Sequence, residues 1–392
     1  MLGTAFISSI IIANSLGLNN FGIYTLFFSI TGILVLFFRF GYFSSISVLL
    51  ASTNNIQRQK EILGAGFILV TIIGLLYIIF LYLLSGAVSI VFKTDLENFI
   101  DSNLIFLIVL PAGMYLTQVA QATNKFTPVI LFNIVSSLAS LLIILYYYYN
   151  ELFSIENFIF AKLFPTAILT IFTVCMYSFS FKNLVKNLNI INIKNKKHGF
   201  HLYLGQIADQ ITYKSDELMI SFFIGNSELG LYKIANSLTQ PLSMLPKNYS
   251  LLKFKKFAKS KFVNKKEFQN LLIIISIVFI TGVILIYIIM NYFYAKEFYD
   301  ALYIAYILLF AVVINSIYQM HNMFMNANSM GKIVKNNSLK MMFVNIIMNF
   351  SLIPFLGAIG ASIASVMAMY TYMHFTFKEY KKFINGEKIS VK

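Results

Sequence analysis

Seven ionisable side chains lie inside stretches otherwise apolar enough to cross a membrane: the acids Asp209, Asp216 and Glu217, and the cations Arg39, Lys162, Lys214 and Lys233. Five of the seven fall in residues 200–235, FHLYLGQIADQITYKSDELMISFFIGNSELGLYKIA. At roughly 100° per helical residue, Gln206, Asp209, Gln210, Tyr213, Asp216 and Glu217 share one side, and Ile207, Ala208, Ile211 and Leu218 populate the other. A charge at the bilayer centre costs at least about 2.5 to 3.5 kcal/mol, so this stripe must face a protein interior or a water-filled cavity. The chemistry on offer is ion handling. A desolvated carboxylate can load and release a proton or a sodium ion, which makes Asp209, Asp216 and Glu217 candidates for ion coupling. Fixed cations can accompany an anion through a low-dielectric path, which makes Lys214, Lys233, Lys162 and Arg39 candidates for a substrate cavity.

Each candidate has a plainer role to set beside this one. Arg39 lies about 27 Å into its segment and can snorkel to the membrane surface, as can Lys162 near the outer start of its own. Lys214 has Glu217 three residues on for a local ion pair, whereas Lys233 has no acid within a turn except Glu228 beyond its start. Asp209 and Asp216 could be fixed partners of Lys214, Lys233 or a residue elsewhere in the fold. His321, in NSIYQMHNMF beside Asn315, Gln319 and Asn322, suits a hydrogen-bonded interior better than a proton relay. Gln206, Tyr213 and His321 complete the expected polar lining of the cavity. No cofactor motif is present, and no His, Cys and carboxylate cluster has metal-ligand spacing, so neither cofactor nor metal is expected.

These residues sit in a chain of 392 residues that is 58% hydrophobic and 11% charged, with a mean hydropathy of +0.76. That composition excludes a soluble globular domain. The lone Cys175 permits no intramolecular disulfide, and its place in an apolar segment makes it packing material. Apolar runs at 21–48, 62–91, 103–122, 127–149, 157–180, 200–224, 229–250, 269–293, 301–326, 335–355 and 358–377 predict eleven crossings. Residues 1–14 form a shortened first crossing, too brief at 1.5 Å per residue for a hydrocarbon core of about 30 Å, and its missing half is expected upstream. They lack the basic leader of a signal peptide. The expected fold is thus an all-α membrane protein of about twelve helices.

The loops support this count. Cytoplasmic loops collect Lys and Arg, and 24 of the 30 basic residues fall on the side holding the loops at 49–61, 123–126, 181–199, 247–268 and 327–340 and the C-terminal tail. Only Lys93 and Lys296 lie opposite, with eight of the acids. Both termini are therefore expected in the cytoplasm. The net charge of +15 becomes an orientation signal instead of a nucleic-acid footprint, and clusters such as KFKKFAKSKF at 253–262 would attract anionic membrane lipids.

The chain also repeats itself. GLNNFGIY at 17–24 and GNSELGLY at 225–232 each follow one crossing and open the next, with Gly, Gly and Tyr coinciding at an offset of 208 residues. Six crossings then fall in each half: an N-terminal bundle at 1–180, a basic cytoplasmic linker at 181–199, a C-terminal bundle at 200–377 and a tail at 378–392. Crossings one and seven start on the same side, so the halves are parallel repeats about a pseudo-two-fold axis along the membrane normal, suited to alternating access around a central cavity.

Four stretches carry a family resemblance: the FGIY turn, RFGYFSSISVLLAS at 39–52, SDELMISFFIGNSELGLYKIANSL at 215–238, and NFSLIPFLGAIGASIASVMA at 349–368. With Asp216, Gly225, Gly230, Tyr232 and Ala235 in the places of the family pattern, the chain resembles the polysaccharide-exporter branch of the superfamily that also holds multidrug extruders and lipid II flippases. It is most similar to O-antigen or capsule repeat-unit flippases. The resemblance implies a multi-pass protein of the bacterial cytoplasmic (inner) membrane. It would move an undecaprenyl-diphosphate-linked glycan, a lipopolysaccharide or capsule precursor, to the outer leaflet with H+ or Na+ as coupling ion and without covalent chemistry. A polysaccharide polymerase is a further candidate partner. Two alternatives within the superfamily are a cation-coupled multidrug exporter and a lipid II flippase; the excess of intramembrane cations favours an anionic substrate over a cationic drug. A third, a membrane polymerase or ligase, needs a large outer catalytic loop, and the outer loops here reach only about a dozen residues.

Overall fold

The computed structural model describes residues 2–123, 126–328 and 330–385, without the side chains of Leu2, His198, His201, Leu202, Leu204, Gln206, Ala208, Asp209, Thr212 and Tyr213. Three predicted site residues, Gln206, Asp209 and Tyr213, accordingly have side chains outside the described residues. The described chain is helical throughout, with no strand among the described residues. The first helices are α1 Leu2–Phe37, α2 Tyr42–Ala51, α3 Ile56–Phe92, α4 Glu97–Leu107, α5 Leu110–Thr123, α6 Thr127–Tyr149, α7 Ile155–Cys175 and α8 Leu184–Lys194. A π-helical turn, Asn195–Gly199, leads into α9 Phe200–Phe223 and α10 Asn226–Thr239. There follow a 3-10 turn Gln240–Ser243, α11 Met244–Leu252, α12 Phe254–Phe257, α13 Lys265–Phe293, α14 Ala301–Ala327 and α15 Gly331–Ile384.

Seven described helices are long and apolar enough to cross a membrane, or eight when α4 and α5, bent by 43°, count as one span. The distance from twelve has physical causes. α1 and α15 each run through a glycine in a non-helical conformation, Gly17 and Gly357, so each covers two predicted crossings. α9 carries Asp209, Lys214, Asp216 and Glu217 and is too polar to qualify by composition, and the predicted crossing 229–250 is divided among α10, the 3-10 turn and α11. The predicted crossing 21–48 is likewise broken at 38–41, where Phe40 (φ 44°) and Gly41 (φ 80°) are left-handed. Leu83, Ile90, Leu142, Ile273 and Ile280 are exposed on α3, α6 and α13, the surface expected of helices solvated by lipid.

Two compact units emerge, Met1–Leu16 with Ile23–Ile207, and Gly17–Gly22 with Ala208–Lys392. In the first, buried Tyr77 and Tyr115 donate from their hydroxyls to Thr31 O at 2.9 Å and Leu63 O at 3.1 Å, tying α3 to α1 and α5. Phe43, Ile46, Ile62, Val70, Val119 and Ile191 pack around Tyr115. Helix starts are capped by short polar side chains: Asn55 accepts from Arg58 N, and Ser154 from Asn157 N. Cys175, expected inside, is exposed at the end of α7; its segment is apolar because it faces outward.

In the second unit the two repeated turns meet. Gly17 (φ 73°) and Gly225 (φ 131°), 208 residues apart, both adopt conformations that L side chains avoid. Gly22 approaches the backbone of Asn226, and Gly230 approaches the backbone of Leu18. The contacts are reciprocal, since Leu18 and Asn226 are also 208 residues apart.

At the other end of this unit, Phe257, Leu271, Ile275, Met320, Phe324 and Met325 form a core. Glu267, in the first turn of α13, receives Lys253 Nζ at 3.2 Å and Lys256 Nζ at 3.0 Å. Burial raises the proton affinity of its carboxyl, but the two ammonium groups outweigh that and hold it below the ordinary carboxylate range. The stabilisation is therefore present above the unfolded Glu value of about 4.3 and is lost as pH falls through the lower folded value. Because Lys256 is largely exposed, Glu267→Gln is expected to cost no more than about 1 kcal/mol at neutral pH. Thermal unfolding in detergent at pH 7 and below pH 4 checks this: the difference between variant and wild type should shrink in acid.

Candidate functional site

The second unit contains a cavity of about 460 Å³ enclosed by α9, α10, α11, α14 and α15. The charged lining is Lys214, Asp216, Glu217, Lys233 and Lys247; Gln210, Asn236, Gln240, Asn315 and Gln319 supply amides, and Leu308, Ala311, Val312 and Met369 supply apolar wall. The break at Gly225 makes this possible, because it turns the chain so that α10 returns against α9. Ser221 Oγ donates to Asn226 Oδ1 at 2.7 Å across the turn. Sixteen residues then separate both partners in each of two pairs: Tyr232 reaches Asp216, and Lys233 reaches Glu217.

Asp216 is 2% exposed and is surrounded by neutral donors. Tyr232 Oη and Ser365 Oγ donate to Oδ2 at 2.6 and 2.7 Å, while Asn349 Nδ2 and Asn345 Nδ2 donate to Oδ1 at 2.6 and 3.2 Å. Among the described residues no ion pair reaches it. Asn349 Oδ1, also buried, has no hydrogen-bond partner among the described residues. The result is a pocket built from α9, α10 and α15 in which neutral hydroxyl and amide donors hold the carboxylate and, among the described residues, no cation pairs with it.

Glu217 is arranged differently. It is 1% exposed, and its two oxygens take one ammonium each, Lys214 Nζ at 2.8 Å and Lys233 Nζ at 3.0 Å. The local Lys214–Glu217 pair expected from the sequence is present, and Lys233 joins it from the next helix. With Lys247 also on the lining, cations outnumber carboxylates on the cavity wall three to two.

The other predicted residues lie elsewhere. His321 is not on this lining: it is buried with its ring 4.5 Å from that of Tyr380, 4.7 Å from Phe377 and 5.0 Å from Phe268, and its Nδ1 has no hydrogen-bond partner. The neighbouring Asn315 and Gln319, a turn apart, do face the cavity. Arg39 belongs to the first unit, in the break between α1 and α2, with its guanidinium 5.6 Å above the Phe43 ring. Lys162 is half-buried on α7 of that unit, and its carbonyl accepts from Thr166 Oγ1. Reasoning from the sequence missed Asn345, Asn349 and Ser365, although two asparagines four residues apart in the apolar run KMMFVNIIMNF were a usable signal. It also left Lys247 in a loop. Among the described residues no three His, Cys, Asp or Glu side chains could hold a metal ion.

Comparison with known proteins fits this arrangement. The family described as polysaccharide biosynthesis protein matches residues 2–246. Among solved structures, lipid II flippase MurJ in an inward closed conformation superposes with a TM-score of 0.72 at 14% identity, covering 98% of this chain and 88% of its own. An inward-facing multidrug resistance MATE family transporter of the MOP superfamily gives 0.73 at 13% identity, covering 100% and 96%. A eukaryotic MATE transporter gives 0.63 at 13% identity, covering 98% and 94%. A search of curated proteins finds no match. The chain belongs to the polysaccharide biosynthesis protein family, and its fold is the all-helical membrane fold shared by these flippases and transporters.

Proposed function

We propose that the protein is a flippase that carries undecaprenyl-diphosphate-linked oligosaccharide repeat units, of the O-antigen or capsule type, from the cytoplasmic to the outer leaflet of the bacterial inner membrane. The observation that carries this reading is the excess of cations on the cavity lining: Lys214, Lys233 and Lys247 all line it, together with the amides of Gln210, Asn236, Gln240, Asn315 and Gln319. A diphosphate needs fixed ammonium groups to leave water, and amides suit the hydroxyls of sugars. The halves 1–180 and 200–377 serve as the bodies of an alternating-access cycle, with both termini in the cytoplasm. Asp216 is the coupling site, loading H+ or Na+ among Tyr232, Asn345, Asn349 and Ser365. Lys162 and Arg39 are the candidate substrate cations of the N-terminal half. A polysaccharide polymerase receives the product.

The test is deletion in the native host, followed by gel analysis of surface polysaccharide and mass spectrometry of lipid-linked oligosaccharides. The surface polymer is expected to disappear while undecaprenyl-diphosphate-linked repeat units accumulate, and the accumulated glycan identifies the cargo. Accumulation of lipid II would assign the protein to that substrate instead. Unchanged polymer and lipid pools, in a strain without a redundant flippase, would overturn the reading and direct attention to drug efflux.

A further inference from the structure

Glu217 is oddly placed for a cavity that must hold an anion. It lies at 1% exposure behind two lysines whose side chains are 29% and 35% exposed, and it engages both, one with each carboxylate oxygen, at 2.8 and 3.0 Å. Lys214 and Glu217 come from one turn of α9 and Lys233 from α10, so the triad bridges two helices. An ammonium ion has three N–H donors; one spent on Glu217 leaves the others for the open side. An anion in the cavity would therefore meet Lys214 and Lys233 from the front while a carboxylate of the same sign holds them from the back.

We propose that Glu217 is a built-in counter-anion that limits how tightly the cavity grips the anionic group of its cargo. The inference rests on the flippase reading of this site and adds the residue that sets the strength of cargo binding there. In the empty cavity Glu217 keeps the two ammonium groups ordered and side by side. With cargo present its negative charge opposes that of the phosphate across the same two ammonium groups, so the phosphate oxygens gain less than two unopposed lysines would give. A translocation site needs this compromise, because binding must be favourable enough for loading yet weak enough for release on the other side.

The sign of one measurement separates this role from simple support of the lysines. Detergent-solubilised full-length protein would be titrated calorimetrically with farnesyl diphosphate, a short prenyl diphosphate. For Glu217→Gln, which keeps size and one acceptor oxygen, binding is expected to tighten by about tenfold: a charge roughly 6 Å away at intermediate dielectric amounts to more than that, and the partial exposure of the lysines reduces it. Export in cells should slow in the same variant. Glu217→Asp retains the charge and withdraws it by one methylene, so it should bind between wild type and Glu217→Gln and provides the comparison if the amide does not fold. Lys214→Gln and Lys233→Gln should each weaken binding. Weakened or unchanged binding in both Glu217 variants, with the lysine variants weakened, would overturn the counter-anion role and leave the flippase reading standing. No saturable binding by wild type, or binding indifferent to both lysines, would overturn the reading of the cavity itself and this inference with it.

Discussion

Asp216→Ala is expected to abolish export and to destabilise the protein by about 2 to 4 kcal/mol, because the buried donors it leaves unpaired cost more than the removal of its own buried charge returns. Four donors converge on this carboxylate, from Tyr232, Ser365, Asn345 and Asn349, and all four positions are buried or half-buried. Truncation takes this acceptor from all four, although Asn349 Nδ2 keeps Asn345 Oδ1 at 3.2 Å; the cost is about 1 to 3 kcal/mol for each buried group that finds no substitute, and a small void opens. Asp216→Asn separates folding from transport. It preserves volume and one acceptor oxygen but removes the charge and turns an amide toward two other amides, so the stability loss should be near 1 to 2 kcal/mol while coupling is lost. Two measurements check this: thermal unfolding in detergent, and the pool of lipid-linked repeat units in cells carrying each variant. Full export by folded Asp216→Asn would remove Asp216 from the coupling step and leave it a structural acceptor.

Gly22→Ala is expected to have the largest effect on folding of any single methyl group added to the second unit. A Cβ built on Gly22 lies 1.8 Å from Asn226 O and 2.5 Å from Asn226 C, which are backbone atoms that no rotamer change can move aside. Relieving the contact means separating two backbones by more than an ångström. Overpacking ordinarily costs about 1 to 3 kcal/mol, and a backbone-to-backbone clash belongs at or above the top of that range. Gly230→Ala, whose Cβ would lie 2.7 Å from Leu18 O, is expected to follow the same pattern more mildly. Gly32→Ala is the control: it lies in α1 with nothing within 4 Å of its Cβ, so the better helix propensity of Ala should leave it neutral or stabilised by up to about 1 kcal/mol. The monodisperse fraction in detergent and the apparent Tm rank the three. Equal behaviour of Gly22→Ala and Gly32→Ala would show that the reciprocal glycine contact contributes nothing to the fold.

The glycine pair was legible in advance only as a repeat. The spacing of 208 residues between GLNNFGIY and GNSELGLY marks equivalent turns, and a glycine recurring at equivalent turns implies a backbone demand; that each glycine answers the other repeat's backbone is visible only once the helices are packed. The polar stripe of α9 shows the same division. Helical periodicity places Asp216 and Glu217 on one side, and the i, i+3 spacing supplies the Lys214–Glu217 pair. It does not assign Lys233 to Glu217 or leave Asp216 to neutral donors, since those depend on the register of α10 and α15 against α9. Lys247 counts with the basic loop 247–268, at a cytoplasmic helix end, yet the structure puts it on the cavity lining, after the 3-10 turn at Gln240–Ser243. His321 appeared to be a polar lining residue because Asn315, Gln319 and Asn322 flank it, but the helix turns its ring into Phe268, Phe377 and Tyr380.

By itself, then, the amino-acid sequence determined that this is a polytopic membrane protein, where its apolar segments lie, that its turns repeat, and which charges must be sheltered from lipid. All of these follow from local rules: the length of a crossing, the pitch of a helix and the cost of a bare charge in hydrocarbon. Only the tertiary structure decided which charges are paired, which carboxylate is held by neutral donors and which lysines line one cavity. Those depend on helix register and packing between segments more than a hundred residues apart, as with Asp216 and Asn349, and no local periodicity encodes the distance between two helices.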